Sequence, residues 1–180
     1  TVLGLYDQGY AVAVERRTDH LAATASADKA RMRTWHFRAD HTVLAPGAFQ
    51  RHLVFGSNDR PGIMLSHAAA TYVATHGARC FATAVVVTVD NQGYRDAIRL
   101  HNDGVTVAAV LDVRESVSAA SQASAIAPVQ ALGIPVHMGQ TALDTLGDES
   151  GQVAAVIAGR PDGTETVTIH ADLVAVSGGW

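Results

Sequence analysis

A strand, a helix and a second strand follow one another in the middle of this sequence, and this unit constrains the fold more than any other feature. The two strands are apolar, β-branched runs at residues 84–89 and 105–111. The helix at 94–102 carries apolar residues at helical spacing, and Gly104 follows its end. Two such strands joined by a helix within about 30 residues are typical of a parallel βαβ unit that is buried on both faces. The sequence therefore predicts an α/β fold with a parallel sheet.

Shorter strands surround this unit. A polar turn at residues 7–9 separates two alternating runs and predicts a β-hairpin, and the turn at 159–163 predicts a second one. In full, the pattern predicts further strands at 2–6, 10–15, 31–37, 42–45, 134–138, 152–158, 164–169 and 173–177, and further helices at 64–76 and 119–132. We therefore expect a Rossmann-like βαβ domain with additional hairpin or meander segments.

Composition excludes several classes of protein. Of the 180 residues, 48% are hydrophobic and 17% are charged, which excludes a disordered chain or a coiled coil. The net charge of −4 gives no basic face, so we expect neither nucleic acid nor a membrane as a partner. The single cysteine, Cys80, excludes an internal disulfide framework and a cysteine-rich zinc site. No secretory leader and no apolar stretch of roughly 20 residues is recognisable, so the cytoplasm is the expected compartment.

One pattern occurs twice. Residues 39–47 and 171–179 share an Ala-Asp start, an apolar run and a glycine end, and each follows a predicted hairpin. The offset of 132 residues between positions 39 and 171 is too long for a solenoid repeat. It fits a fold that uses one nucleotide-binding topology twice, in which the glycine after the strand lets the backbone approach a bound cofactor.

Several motifs carry a resemblance to a known family. They lie at residues 15–21, 35–39, 43–45, 53–55, 58–65, 70–73, 94–100 and 171–180. On these residues the chain resembles the alpha subunits of heterotetrameric sarcosine oxidases across essentially its whole length. The Asn-Asp-Arg-Pro-Gly loop at 58–62 and the Ser-Gly-Gly-Trp ending at 177–180 are the most specific parts, because neither is a general feature of nucleotide-binding folds.

This resemblance implies a flavoprotein of the two-dinucleotide-binding-domain type. Members of the family oxidise sarcosine (N-methylglycine) with oxygen, bind NAD in the alpha subunit, contain FAD or FMN in the intact complex, and assemble with other subunits. The chain would then be an internal fragment. Residues 1–61 and 166–180 would be incomplete pieces of a first FAD- or NAD-binding domain, and residues 62–165 a second, inserted one. Such a fragment is expected to be inactive alone, and its unpaired strand edges predict a homo-oligomer.

The inserted domain carries an altered nucleotide-binding turn. In dinucleotide-binding folds a G-x-G-x-x-G turn seats the pyrophosphate on backbone amides at a helix N-terminus. Here the three glycine positions fall on Thr88, Asp90 and Gly93, and only the third, which serves helix packing, is glycine. Asp112, 22 residues after Asp90, is placed like the acidic residue that binds a ribose hydroxyl. Two interpretations stay open: a purely structural turn, or altered nucleotide binding that uses Asn91, Gly93 and Asp112.

The first domain contributes further candidates. Residues 45–48, Ala-Pro-Gly-Ala, stand where the family usually has Ala-Thr-Gly-Ala beside the dinucleotide, and proline there removes a hydroxyl and a backbone N–H. Arg51 either pairs with a phosphate or carboxylate or is a surface arginine. The cofactor-binding residues that the resemblance implies are Ala45, Gly47, Ala48, Arg51, Asn91, Gly93, Asp112, Gly178 and Gly179.

The sequence contains no recognisable motif for a metal site or for a catalytic nucleophile. The nine histidines form no H-x-x-x-H or H-E-x-x-H pattern, so no metal site is predicted. No G-x-S-x-G nucleophile motif occurs, and no residue is assigned a catalytic role. Two alternatives stay open: a non-catalytic nucleotide-fold scaffold or interaction module that has lost its ligand, and the equivalent region of another amine or opine dehydrogenase. In the first alternative the chain binds no cofactor.

Overall fold

The computed structural model describes residues 1–22 and 29–180. Its backbone forms two compact units, Thr1–Gly47 and Ala48–Trp180. The observed division therefore falls at Gly47, whereas the sequence analysis draws domain boundaries near residues 61 and 166. The assignment of residues 1–61 and 166–180 to one nucleotide-binding domain, with 62–165 inserted, stays a prediction.

The first unit is a three-stranded antiparallel sheet. Its strands are β1 (Val2–Tyr6), β2 (Tyr10–Arg16) and β3 (Met32–Arg38). β1 and β2 form the predicted hairpin, and β3 pairs with the other edge of β2. Gly9 closes the hairpin turn with a φ of 66°, in the left-handed region that glycine enters without steric cost.

The second unit is built on a five-stranded parallel sheet. Its strands are β4 (Ile63–Leu65), β5 (Thr83–Thr88), β6 (Thr106–Asp112), β7 (Val136–Met138) and β11 (Leu173–Ser177). Their order across the sheet is β4-β11-β5-β6-β7, and every neighbouring pair is parallel. The last strand of the chain therefore lies inside the sheet, between two strands that come much earlier in the sequence. The predicted α/β class and the predicted parallel βαβ unit are confirmed.

Helices cover one face of this sheet. They are α1 (Ser66–His76), α2 (Gln92–Asn102) and α3 (residues 119–131), and α3 consists of the turn Ala119–Ser121, a π-helical turn Gln122–Ile126 and the turn Ala127–Ala131. Pro128 lies inside α3, lacks an N–H, and crowds the carbonyl four residues earlier, which accounts for the wider π turn before it. Among the described residues, no helix has the length and apolarity needed to cross a bilayer.

An antiparallel meander covers the opposite face. Its strands are β8 (Thr141–Gly147), β9 (Val153–Gly159) and β10 (Val167–His170), with β9 in the centre. Alternate side chains of β5 pack into the two layers: Val86 packs with the helices, whereas Val85 and Val87 pack with the meander. The parallel sheet is therefore the middle one of three layers, which explains why its strands read as continuous apolar runs.

The structure corrects the sequence prediction in three places. The strand predicted at 42–45 is irregular, and Val43 within it is 91% exposed, because no described strand accepts its backbone hydrogen bonds. The pattern also fails to predict β4, which has only three residues, and β8. In β8 the pairing with β9 shifts register twice, at Ala142/Asp144 and at Leu146/Gly147. Such irregularities break the alternation on which strand prediction depends.

Leu111→Ala should lower the free energy of unfolding by about 2–5 kcal/mol, because the side chain is fully buried between β6 and the meander. Urea unfolding followed by circular dichroism measures the loss. Leu132→Ala is the matched control, since Leu132 is 39% exposed, and it should cost less than about 1 kcal/mol. Equal losses in the two variants would contradict the three-layer arrangement.

Candidate functional site

Three strands of the parallel sheet end in polar residues at the same edge. In the register of the sheet, Thr88 of β5 is level with Ser177 of β11 on one side and with Asp112 of β6 on the other. All three residues are buried. In parallel α/β sheets ligands bind beyond the carboxyl ends of the strands, at the point where the strand order reverses. This edge, which we call the carboxyl edge, is therefore the candidate site.

The turn that leaves β5 is closed by Asp90. Its carboxylate oxygen Oδ1 accepts hydrogen bonds from the backbone N–H of Gln92 at 2.9 Å and from the hydroxyl of Ser177 at 3.0 Å. The Thr88 hydroxyl donates to the backbone carbonyl of Asp90 at 2.8 Å. Since Gln92 is the first residue of α2, the Asp90 carboxylate takes the position that a phosphate takes at the helix N-terminus of a dinucleotide-binding turn. The chain therefore supplies its own anion at this turn.

Gly93 lets α2 pack closely against the end of β5. A Cβ atom at this position would lie 2.4 Å from the Cβ and the hydroxyl oxygen of Thr88, far inside van der Waals contact. Any side chain at residue 93 would push the first turn of α2 away from the sheet. The structure therefore gives this glycine a packing role within the chain.

Asp112 is fully buried, and its carboxylate is paired within the chain. It accepts hydrogen bonds from the Tyr94 hydroxyl at 2.7 Å and from Arg114 Nη2 at 2.7 Å and Nε at 3.0 Å. Burial, together with the bond to Asp112, raises the pKa of Tyr94, and the same carboxylate raises the pKa of Arg114. A ribose hydroxyl would have to displace these partners before it could bind Asp112.

Asn91 connects Asp112 and its partner arginine to α3. Its side-chain oxygen accepts a hydrogen bond from Arg114 Nη1 at 3.2 Å, and its side-chain nitrogen donates to the Ser121 hydroxyl at 3.0 Å. The structure therefore brings Asn91 and Asp112 together through Arg114, at the carboxyl edge. Sequence reasoning missed Arg114, although its position two residues after an acidic strand end is a recognisable signal.

Sequence reasoning also missed a buried polar network centred on Gln50. Its amide nitrogen donates to the hydroxyls of Ser66 and Ser177 at 3.0 Å each, and its amide oxygen accepts from the backbone N–H of His67 at 3.0 Å. Asp96, which is 1% exposed, accepts from the Ser66 hydroxyl at 2.6 Å. Asp96 has a sequence signal, because a carboxylate on the inward face of a helix needs partners. Gln50 has none, because these hydroxyl partners lie 16 and 127 residues away.

Arg51 lies against the two glycines that follow β11. Its N–H donates to the Gly179 carbonyl at 2.7 Å, and its carbonyl accepts from the N–H of Gly178 at 2.9 Å. A Cβ atom on Gly178 would approach the Arg51 carbonyl oxygen to 2.6 Å, so the close approach requires glycine. Arg51 is exposed, and the ion pairs found in the described part of the chain do not involve its guanidinium. The structure therefore brings these three predicted residues together.

The remaining predicted residues, Ala45, Gly47 and Ala48, are exposed. Ala45 and Gly47 belong to the first unit and Ala48 to the second. Gly47 has a φ of 73°, so its backbone conformation favours glycine. Within residues 1–22 and 29–180, no group of three His, Cys, Asp or Glu side chains is arranged to hold a metal ion.

Comparison with curated proteins relates this geometry to one family. Over 184 aligned residues that include the whole chain, the identity is 41% to sarcosine oxidase subunit alpha of Corynebacterium sp. (strain P-1). The identity is 32% over 180 residues to the same subunit of Rhizobium meliloti (strain 1021). The chain is similar to sarcosine oxidase alpha subunits throughout. The resemblance inferred from the sequence is therefore confirmed, and the chain spans 18% and 17% of the length of these two relatives. No family model matches the chain.

Solved structures show the same fold outside the sarcosine oxidase alpha subunits. T. acidophilum thioredoxin reductase superposes with a TM-score of 0.61 at 17% identity, over 82% of this chain and 47% of that one. The water-forming NADH oxidase from Lactobacillus brevis, bound to NADH, gives a TM-score of 0.57 at 17% identity, over 99% of this chain and 36% of that one. These likenesses confirm the predicted α/β dinucleotide-binding fold of the sarcosine oxidase alpha subunit-like chain.

Tyr94→Phe should destabilise the protein by about 1–3 kcal/mol at neutral pH, because the buried Asp112 carboxylate loses a donor. It should also remove a pH dependence. Since the pKa of Tyr94 is raised in the folded state, its contribution is fully present below the unfolded pKa of about 10 and is lost as the pH rises from there through the folded pKa.

The measurement is the free energy of unfolding in urea between about pH 7 and pH 11, a range that spans the ordinary tyrosine pKa. Wild type should lose more stability than Tyr94→Phe above about pH 10. Tyr72→Phe, at a half-exposed tyrosine of α1, is the matched control and should follow wild type. Parallel pH curves for wild type and Tyr94→Phe would contradict the buried pairing with Asp112.

Proposed function

We propose that this chain forms part of the dinucleotide-binding region of a sarcosine oxidase alpha subunit-like flavoenzyme, with NAD as the dinucleotide. The observation that carries the proposal is the pairing of Arg51 with Gly178 and Gly179 just beyond β11. Its backbone hydrogen bonds place Arg51, an exposed residue with a cationic side chain, next to two glycines at the edge where parallel α/β sheets bind ligands.

The chemistry of a pyrophosphate supports this assignment. A pyrophosphate requires positive charge, and an arginine guanidinium provides it with paired donors that match two phosphate oxygens. It also requires close approach of the backbone, which Gly179 permits, because a Cβ atom there would meet no heavy atom closer than 3.8 Å. Ala48, which belongs to the same unit as Arg51, adds only a small side chain. In this proposal Ala48, Arg51, Gly178 and Gly179 bind the dinucleotide.

The turn after β5 has a different role in this proposal. Asp90 already occupies the anion position at the N-terminus of α2, and Asp112 is already paired with Tyr94 and Arg114. A second dinucleotide at Asn91, Gly93 and Asp112 would have to replace these internal bonds. We infer that the turn holds β5, β6 and α2 together and that NAD is bound on the side of Arg51.

The activity, flavin cofactor and partner subunits of the complete protein are proposed from its similarity to sarcosine oxidase alpha subunits. We propose that the complete protein oxidises sarcosine with oxygen, that FAD or FMN in the intact complex supplies the redox chemistry, and that other subunits assemble with it in the cytoplasm. In this proposal the chain binds and orients the dinucleotide, and the chemistry on the amine takes place elsewhere in the complex. The equivalent region of another amine or opine dehydrogenase would differ only in a substrate pocket that these residues do not form.

A second candidate function has its own supporting observation. The carboxylates of Asp90 and Asp112 both accept hydrogen bonds from groups of the chain itself. Such internal bonds are expected in a nucleotide-binding fold that has lost its ligand. In that case the chain is a non-catalytic scaffold or interaction module. The two candidates differ in whether NAD binds at all.

Calorimetric titration of the purified protein with NAD distinguishes them. Arg51→Ala should weaken NAD binding at least about tenfold, because a charge-assisted hydrogen bond to phosphate is lost, while Arg51→Lys should retain part of the affinity. Arg95→Ala, at an exposed arginine of α2, is the matched control and should bind like wild type. NAD binding that is unchanged in Arg51→Ala would contradict the assigned site, and no binding heat in wild type would favour the scaffold.

The sheet of the first unit predicts self-association. In its register Leu5, Ala11 and Phe37 form one row across the three strands, and Trp35 stacks on Phe37 with ring centroids 6.2 Å apart. Leu5, Trp35 and Phe37 are 42–50% exposed. We propose that this apolar face is a contact surface between copies of the chain or with partner subunits.

The double variant Trp35→Ser/Phe37→Ser should reduce the oligomeric state measured by light scattering after size exclusion, because it removes most of this apolar face. Val43→Ser is the matched control, since Val43 is 91% exposed outside the sheet. A wild-type protein that elutes as a monomer would overturn the predicted homo-oligomer.

A further inference from the structure

A cavity of about 390 Å³ lies beside α1 in the second unit. Its volume is within the range of pockets that bind small molecules, about 300–1,000 Å³. Five of its lining residues have aromatic or imidazole rings: Phe49, His67, Tyr72, His76 and Trp180. No lysine or arginine is among the described residues that line it.

Four of the rings that line the cavity form two neighbouring pairs. His67 meets Trp180 edge to face, with centroids 5.9 Å apart and an interplanar angle of 67°. Tyr72 and His76 are neighbours on α1 with centroids 6.0 Å apart. Tyr72 and Trp180 are each 50% exposed, so part of each residue is accessible to a ligand. Aromatic faces carry negative potential and attract flat rings and cations.

A buried carboxylate lies directly behind this wall. Asp96 is 1% exposed, and its oxygens accept hydrogen bonds from neutral donors: the Ser66 hydroxyl at 2.6 Å, the Gln92 amide at 3.0 Å and the Gln50 amide at 3.3 Å. The ion pairs of the described residues include no lysine or arginine partner for it. Its one potentially cationic neighbour is His67, whose Nδ1 is 3.6 Å from Asp96 Oδ1.

These observations define the charge and shape of a fitting ligand. The aromatic faces and the Asp96 carboxylate both favour positive charge, while the lining offers no fixed cation that would attract an anion. The rings favour a planar molecule that stacks. We propose that this cavity, which we call the ring pocket, is a binding site for a planar, cationic, heteroaromatic ring of the pyridinium class.

The charge and shape of this ligand match one part of NAD, the dinucleotide of the proposed function. The oxidised nicotinamide ring of NAD is such a pyridinium, and in this respect the inference rests on NAD being the dinucleotide. The ring pocket is also joined to the Arg51 site along the chain, because Ala48, Phe49 and Gln50 line it and Arg51 is the next residue. A dinucleotide with its phosphates at Arg51 would then place its ring in this pocket.

The test uses two small probes of nearly the same shape and different charge. 1-Methylnicotinamide is a permanent pyridinium cation, and nicotinamide is its neutral counterpart. The readout is quenching of Trp180 fluorescence in a Trp35→Phe background, since the sequence has only these two tryptophans. The cation should saturate the quenching and bind about tenfold more tightly than nicotinamide, as expected for a desolvated cation–π contact.

Two variants locate the site. Tyr72→Leu removes a stacking ring and should weaken the cation about tenfold, whereas Tyr6→Leu, at an exposed tyrosine of the first unit, is the matched control and should not. Asp96→Asn keeps the shape and removes the charge, and it should reduce the preference for the cation, while the cation–π contribution of the rings remains. Because Asp96 is buried, circular dichroism must show the wild-type fold in that variant. If it does not, Tyr72→Leu together with the two probes decides the question alone.

The outcomes separate this inference from the proposed function. Equal affinity for the two probes, or quenching that Tyr72→Leu does not change, overturns the ring pocket. If NAD binding still depends on Arg51 in that case, the proposed function stands without it. If the pyridinium binds as expected and NAD does not bind, the ring pocket stands and the proposed function fails.

Discussion

The parallel sheet of the second unit depends on β11, which is the last of its strands in the sequence. In the described sheet β4 pairs only with β11, and β11 also pairs with the central strand β5. The bonds that position it extend beyond the ladder: the Asp172 carboxylate accepts from the N–H groups of Ala82 and Thr83, and the N–H of Val174 donates to the Gly62 carbonyl. Without β11 the sheet would consist of a three-stranded core and one detached strand. The pairing of Arg51 with the glycines after β11 exists only once this insertion is complete.

At the carboxyl edge, Asp90 and Asp112 are bonded to groups of the chain itself. Asp90 completes the N-terminus of α2, and Asp112 is held by a phenol and a guanidinium. Each of these carboxylates has its hydrogen-bond donors within the chain, and these bonds reduce the capacity of the same groups to recognise an added nucleotide. The fold of a dinucleotide-binding protein and the capacity of a given turn to bind a dinucleotide are therefore separate properties of this sarcosine oxidase-like chain.

The elements that could be predicted are those whose formation depends on the pattern of neighbouring residues in the sequence. The βαβ unit was predictable because its strands are buried on both faces and its helix has one apolar stripe, as Val85 to Val87 and Ala97 show. The strand at 42–45 was predicted wrongly because no strand of residues 1–22 or 29–180 pairs with it, and pairing between distant segments cannot be read from a local stretch of sequence. The turn between β5 and α2 could be predicted from the local pattern, whereas the bond that the Asp90 carboxylate accepts from Ser177 could not, because Ser177 lies 87 residues away. Gln50 was missed for the same reason, since its contacts form only when three distant segments meet.

The buried hydroxyl of Ser177 has a consequence for the direction of the hydrogen bonds around it. A hydroxyl has one proton, and here it is donated to Asp90, so its lone pairs are left to accept from the Gln50 amide nitrogen. This fixes which way the Gln50 amide faces and turns its oxygen toward the N–H of His67. The donors therefore point in one sense from His67 at the start of α1 to Asp90 just before α2. Through this chain of hydrogen bonds, two residues of the ring-pocket wall, His67 and Gln50, are linked to a turn that the pocket does not touch.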